Sequence, residues 1–182
     1  MSRIQIPQSI SEAPEKSQEL LTNVEKNLGS VPNLYRLVAT SPVALEGLLG
    51  LGGALGRSSL TAATRERIAL AISEFNGCEY CLAAHTYIGQ NLVKLTDSEI
   101  LSNRNGHSSD AKADAAIRFA LAISKTKGNV SQDDFEEIRA AGYSDAAIIE
   151  IIGLVALNVF TNYANNVLLT EVDFPVVEEL SI

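Results

Sequence analysis

The chain has 182 residues, 46% hydrophobic and 20% charged, with a formal net charge of −8. This describes one domain able to bury a core, and the acidic balance excludes nucleic acid as an ordinary partner, since Arg65 and Arg67 are the densest basic spot and phosphates demand Lys and Arg clusters. The opening Met1-Ser2-Arg3-Ile4-Gln5-Ile6-Pro7 has no apolar run of the signal-peptide kind, so a cytoplasmic setting is expected.

Helical periodicity runs along the whole chain and no stretch alternates like a strand, so an all-α, single-domain helical bundle is expected. Residues 1–30 form an N-terminal arm and first helix, with Ser17 to Leu28 closed by Gly29, and residues 31–182 form one helical unit. Val31-Pro32-Asn33 opens a short helix to Val38. Ser41-Pro42 supplies a capping residue followed by proline at the first helical position, and the run to Leu55 carries Gly47, Gly50, Gly52 and Gly53, which predicts close helix packing. After a break at Gly56 to Ser59, Leu60 to Thr64 opens a helix that ends at Phe75. Asn76-Gly77 turns the chain into a helix from Cys78 to Gln90. Thr96-Asp97-Ser98-Glu99 reads as a capping box. Asn103 to Asp110 is a polar loop, Ala111 to Lys127 a helix, and Ser131 to Ala140 another. Ser144-Asp145 caps the last helix, which reaches about Leu169 before an extended tail from Glu171. The apolar part of that helix, Ala146 to Leu157, falls short of the ~20 residues that span a bilayer and gives way to asparagines, so a buried helix with a polar stripe is expected.

Chemistry concentrates in one place. Cys78 and Cys81 are the only cysteines, and His85 is one of two histidines. On a helix the i,i+3 and i,i+4 spacings put all three on one face. Two thiols with an adjacent imidazole read as a thiol redox site, and in a reducing compartment such a pair is redox-active or metal-binding rather than structural. Zinc would have three ligands here, but no second Cys/His pair completes a structural site. The bland alternative is two buried structural thiols.

Glu66 sits between two arginines and reads first as a solvated carboxylate. If its helix packs against the Cys helix as a hairpin, it lies beside His85 and orients the ring, as the third member of an acid–base relay does. Glu74 is a competing carboxylate expected to be peripheral. Tyr80 is about 100° off the thiol face, as a pocket wall, a hydrogen-bond donor or packing. His107 is expected to be solvated. Asn158, Asn162 and Asn165 recur at i,i+4,i+7, predicting a hydrogen-bonded seam between helices or subunits, with contact to the redox pocket as the alternative.

Glu66, eleven residues, Cys78-x-x-Cys81, three residues and His85 resemble the alkylhydroperoxidase D-like family of the carboxymuconolactone decarboxylase superfamily, most closely from Ser59 to Leu95. Val31-Pro32-Asn33, Ser41-Pro42 and the asparagine-rich last helix ending in Asp173-Phe174-Pro175 look like its longer, peroxidase-related branch. The resemblance implies a homo-oligomer of all-α protomers that reduces hydroperoxides through thiols, without haem or metal. It makes Cys81 the attacking thiol, Cys78 the resolving thiol and link to a dithiol or lipoyl-type protein reductant, and Glu66 with His85 the proton relay. Helix-end N–H groups favour Cys78 as the nucleophile, while contact with His85 favours Cys81; the family pattern selects Cys81. Some relatives carry histidine where Tyr80 stands. The decarboxylase members lack this cysteine pair, so decarboxylation is the poorer transfer. A thiol-disulfide oxidoreductase acting on a protein, or a redox-sensing oligomer without turnover, are the rival classes.

Overall fold

Side-chain caps set most of the helix starts in the computed structural model, which describes residues 2–178. Ser41, Thr61, Thr96, Asp110, Ser131 and Ser144 each accept a backbone N–H from the first turn of the helix that follows, satisfying donors that otherwise have no partner. The helices are α1 (Glu15–Leu28), α2 (Asn33–Val38), α3 (Pro42–Leu55), α4 (Ala62–Phe75), α5 (Glu79–Asn91), α6 (Asp97–Arg104), α7 (Ala111–Thr126), α8 (Gln132–Ala140) and α9 (Asp145–Leu168). Among the described residues no strand forms.

Helix α4 is the centre of the bundle and packs against α5, α6, α7 and α9. The reason is visible in its sequence: Ile68, Ala69, Leu70, Ala71, Ile72 and Ser73 are all buried, and a helix apolar all round must be enclosed. One core joins Ile68 and Ile72 to Ile117 and Phe119 of α7, Ile138 of α8 and Ile151 of α9. A second joins Leu21 of α1, Leu37 of α2 and Leu45 of α3. Each fully buried aliphatic side chain contributes roughly 1.5–3 kcal/mol, and truncating Ile72 to alanine at the centre would cost about 2–5 kcal/mol.

Asn76-Gly77 makes the α4–α5 hairpin. Gly77 takes φ +59, the left-handed region glycine enters freely, and the Cys78 N–H closes the turn on Ser73 O at 2.9 Å. The turn is tied to α9: Asn76 Nδ2 donates to Asn162 Oδ1 at 2.8 Å, and Asn166 Nδ2 donates to the Asn76 carbonyl at 2.9 Å. Helix α9 has the length and apolar composition of a membrane span, with mean hydropathy 1.6. In this fold one of its sides supplies Ile148, Ile151, Leu154 and Val155 to the core, and the buried amides Asn158, Asn162 and Asn165 run beside them.

Three local expectations change. Cys78 is the N-cap of α5 rather than its first helical residue, with its sulfur accepting the Cys81 N–H at 3.4 Å. Glu99 does not reach back to close a capping box. Its carboxylate takes Arg67 Nε at 2.8 Å, Asn103 Nδ2 at 3.1 Å, the Ser109 N–H at 3.1 Å and the hydroxyls of Ser108 and Ser109; this pins the polar loop onto α6 and α4. Within α3, a Cβ at Gly47, Gly50 or Gly53 would meet nothing, so these glycines serve no close packing inside the chain. The arm before Ser30 lies on its own chain, with Leu21 buried in the second core and the Arg3 N–H on Leu168 O at 2.8 Å.

Candidate active site

The hairpin brings facing positions of α4 and α5 together, so residues nineteen apart touch: His85 Nδ1 lies 2.7 Å from Glu66 Oε2. Their side chains are 23% and 17% exposed. A carboxylate only accepts, so Nδ1 donates and Nε2 stays free. Burial disfavours the charged ring, but the neighbouring Glu66 charge and hydrogen bond, with Cys81 beyond, outweigh it and raise the His85 pKa.

Cys81 is one turn before His85, on the same face of α5. Its sulfur accepts Asn165 Nδ2 from α9 at 3.2 Å. Both thiols are reduced and buried, Cys78 fully and Cys81 to 3%. They differ sharply in electrostatics. The hydrogen bond with Cys78 lowers the Cys81 pKa; burial opposes this, and the His85 charge and the amides of Asn165 and Asn162 reinforce it. The same thiol–thiol hydrogen bond, together with burial, pushes Cys78 up. The two shifts bias Cys81 toward thiolate and Cys78 toward thiol.

Glu66, Tyr80, Cys81 and His85 border a cavity of about 610 Å³ whose other walls include Leu34, Leu48, Leu49, Leu154 and Leu157. Cys78 does not line it. Tyr80 is buried, its hydroxyl accepts the Leu34 N–H at 3.1 Å, and its ring meets Phe174 edge-on at 5.7 Å. Burial raises the tyrosine pKa further above its ordinary value. The extended tail is strapped across α2 by Asp173 Oδ2, which accepts the Asn33 N–H at 2.8 Å.

The structure therefore assembles Cys78, Cys81, His85, Glu66 and Tyr80 in one place. Glu74 is elsewhere, paired with Arg104 Nε at 2.6 Å. His107 stays in its loop near Asp114 with its side chain 67% exposed. The asparagine stripe divides: Asn162 belongs to the interhelical seam through Asn76 and Ser73, Asn158 bonds Leu154 O within its helix, and Asn165 reaches the thiol. Phe174 is the wall residue that sequence reasoning missed, because an extended tail has no periodicity to announce what it covers. Among the described residues no three His, Cys, Asp or Glu side chains converge as a metal site.

The all-α bundle with a buried Cys-x-x-Cys at a hairpin and a His–Glu pair beside it fits the alkylhydroperoxidase D-like resemblance, and the comparisons agree with it. Residues 42–125 match the carboxymuconolactone decarboxylase family model. The chain resembles an alkylhydroperoxidase AhpD core structure, an uncharacterized peroxidase-related protein from Ralstonia eutropha JMP134, with TM-score 0.83 and 26% identity over 94% of this chain and 92% of that one. A peroxidase-related protein from Silicibacter sp. TM1040 gives 0.80 and 24% over 93% and 91%. The debrominase Bmp8 gives 0.78 and 23% over 94% and 92%, a likeness of fold. No curated protein sequence matches significantly. The family match over residues 42–125 and the whole-chain likeness to the alkylhydroperoxidase AhpD core structure together support the carboxymuconolactone decarboxylase superfamily, alkylhydroperoxidase D-like.

Proposed function

We propose that this protein is a thiol-dependent peroxidase that reduces organic hydroperoxides through a Cys78–Cys81 dithiol/disulfide cycle. The observation that carries the reading is the division of labour between the sulfurs: Cys81 alone lines the cavity and is biased to thiolate, one helical turn from a Glu66-supported imidazole. The Cys81 thiolate attacks the distal peroxide oxygen, and the O–O bond breaks. His85 delivers a proton to the leaving alkoxide, giving an alcohol and a Cys81 sulfenic acid. The Cys78 thiol then attacks that sulfur, water leaves, and a disulfide forms. A dithiol or lipoyl-type protein reductant restores both thiols by exchange.

Apolar cavity walls favour a carbon-bearing hydroperoxide over hydrogen peroxide. They also suit the slender arm of a lipoyl donor. A homo-oligomer is part of the same proposal.

The test is a free-thiol count and intact mass before and after one equivalent of cumene hydroperoxide. Stoichiometric peroxide loss with both thiols consumed and mass lower by about two hydrogens is expected for disulfide closure. Surviving thiols overturn the reading and direct attention to other electrophiles, such as the tribromopyrrole held by the Bmp8 fold neighbour.

A further inference from the structure

The geometry points to Asn165 as a further catalytic residue: its side-chain amide holds the Cys81 sulfur as an anion facing the cavity, a role that rests on Cys81 being the attacking thiol. Asn165 is 84 positions from Cys81, yet its Nδ2 donates to Sγ at 3.2 Å, and the residue is 3% exposed. A merely structural amide would be satisfied by protein partners. Asn162, one turn earlier, is: it bonds Asn76 and Ser73. Among the described residues the Asn165 amide serves sulfur alone, Cys81 at 3.2 Å with a lesser influence on Cys78, while its Oδ1 is buried with no hydrogen bond. Burying an acceptor unpaired is unfavourable, and an aliphatic side chain would fill the same space without that penalty. What an aliphatic residue lacks is the N–H.

The backbone holds this donor in place. The Asn165 carbonyl accepts the Leu169 and Thr170 N–H groups that end α9, and the next residue, Asn166, bonds the hairpin turn leading into Cys78. The groups facing the thiol are Cys78 at the cap, His85 on α5, Glu66 behind it on α4, and Asp173 of the tail beside Tyr80. Two of these carry negative charge, and His85 loses its positive charge at alkaline pH. The amide is a neutral donor that supports the anion at every pH.

Asn165→Leu removes the donor at similar volume, and Asn165→Asp puts a second anion against the sulfur. Ultraviolet titration of the thiolate and iodoacetamide alkylation against pH, both in a Cys78→Ser background, read Cys81 directly. The expected result is an upward pKa shift of about one unit for Asn165→Leu, larger for Asn165→Asp, with alkylation and hydroperoxide reaction about tenfold slower near neutrality. Both rates recover in Asn165→Leu once the pH is high enough to ionise the thiol. An unchanged titration, or a rate loss that alkaline pH does not recover, overturns the role. Failure of the peroxidase reading looks different: the titration shifts as stated while the parent protein consumes no hydroperoxide.

Discussion

Glu66 Oε2 and His85 Nδ1 meet at 2.7 Å across the α4–α5 hairpin, and this contact decides which way the imidazole titrates. Alone, burial would drive His85 neutral; with the carboxylate beside it, the ring holds its proton above its usual pKa. The ring, biased toward its charged form, lies one turn from a sulfur biased to thiolate.

Glu66→Gln preserves shape and removes the charge. His85 then feels burial without its counter-ion, so its pKa falls and proton delivery to the leaving oxygen fails. Hydroperoxide-driven oxidation of Cys81 should slow by about 10²-fold near neutral pH, the scale of general acid–base catalysis, with thermal unfolding little changed. Stopped-flow monitoring of thiol loss measures this, and an unchanged rate removes Glu66 from the relay.

The two cysteine variants should separate. Cys81→Ser abolishes peroxide consumption, because the thiol lining the cavity is gone. Cys78→Ser allows a single oxidation that stops at a sulfenic acid, detectable by dimedone trapping and an intact mass higher by one oxygen. Equal turnover by both variants contradicts the assigned order of attack.

The pH profile follows from the signs of the two shifts. Cys81 is depressed below the ordinary thiol range and His85 is raised, so the thiolate–imidazolium pair forms at lower pH and persists to higher pH than free side chains would allow. Thiol reactivity should be retained near neutrality and lost as pH falls through the depressed Cys81 pKa. In Glu66→Gln the acid limb should move to higher pH. Iodoacetamide alkylation of the Cys78→Ser protein across pH reads this without a peroxide.

A stability prediction concerns Glu99, remote from the thiols. Burial alone would raise its pKa, but hydrogen bonds from Ser108, Ser109 and Asn103 overcome this and bring it down to about 2. A depressed carboxylate stabilises the fold above its unfolded pKa and loses that contribution as pH falls toward the folded value. From the ordinary value of 4.5 down to about 2, of order 3 kcal/mol should disappear. Glu99→Gln should lower urea stability at pH 7 and flatten its pH dependence over that window. An unchanged midpoint would show the Ser108–Ser109 loop to be held by other contacts.

Much of this molecule is legible in one dimension, because helices are local objects. Caps such as Ser41, Thr61 and Ser144 and stops such as Gly29 act within a turn of themselves, so boundaries come out within a residue or two. The Cys78–Cys81–His85 cluster is equally local, and the Asn76-Gly77 break permits the hairpin that puts Glu66 next to His85. Cys78 shows the limit: a residue after a turn caps a helix as readily as it joins one, and the backbone angles decide.

The chain alone therefore determines the helix inventory and the rarity and spacing of the reactive side chains, and it offers Glu66 to His85 only if α4 and α5 pack as a hairpin, which the structure decides. Only the tertiary structure decides the rest. Asn165 comes to Cys81 because α9 must bury its apolar side against α4, and that same packing sends Asn162 to the turn instead. Phe174 closes on Tyr80 because the tail has to leave α9 across α2. Which sulfur faces the cavity depends on how six helices and the tail enclose it, since exposure and electrostatics at a buried thiol are set by atoms distant in sequence.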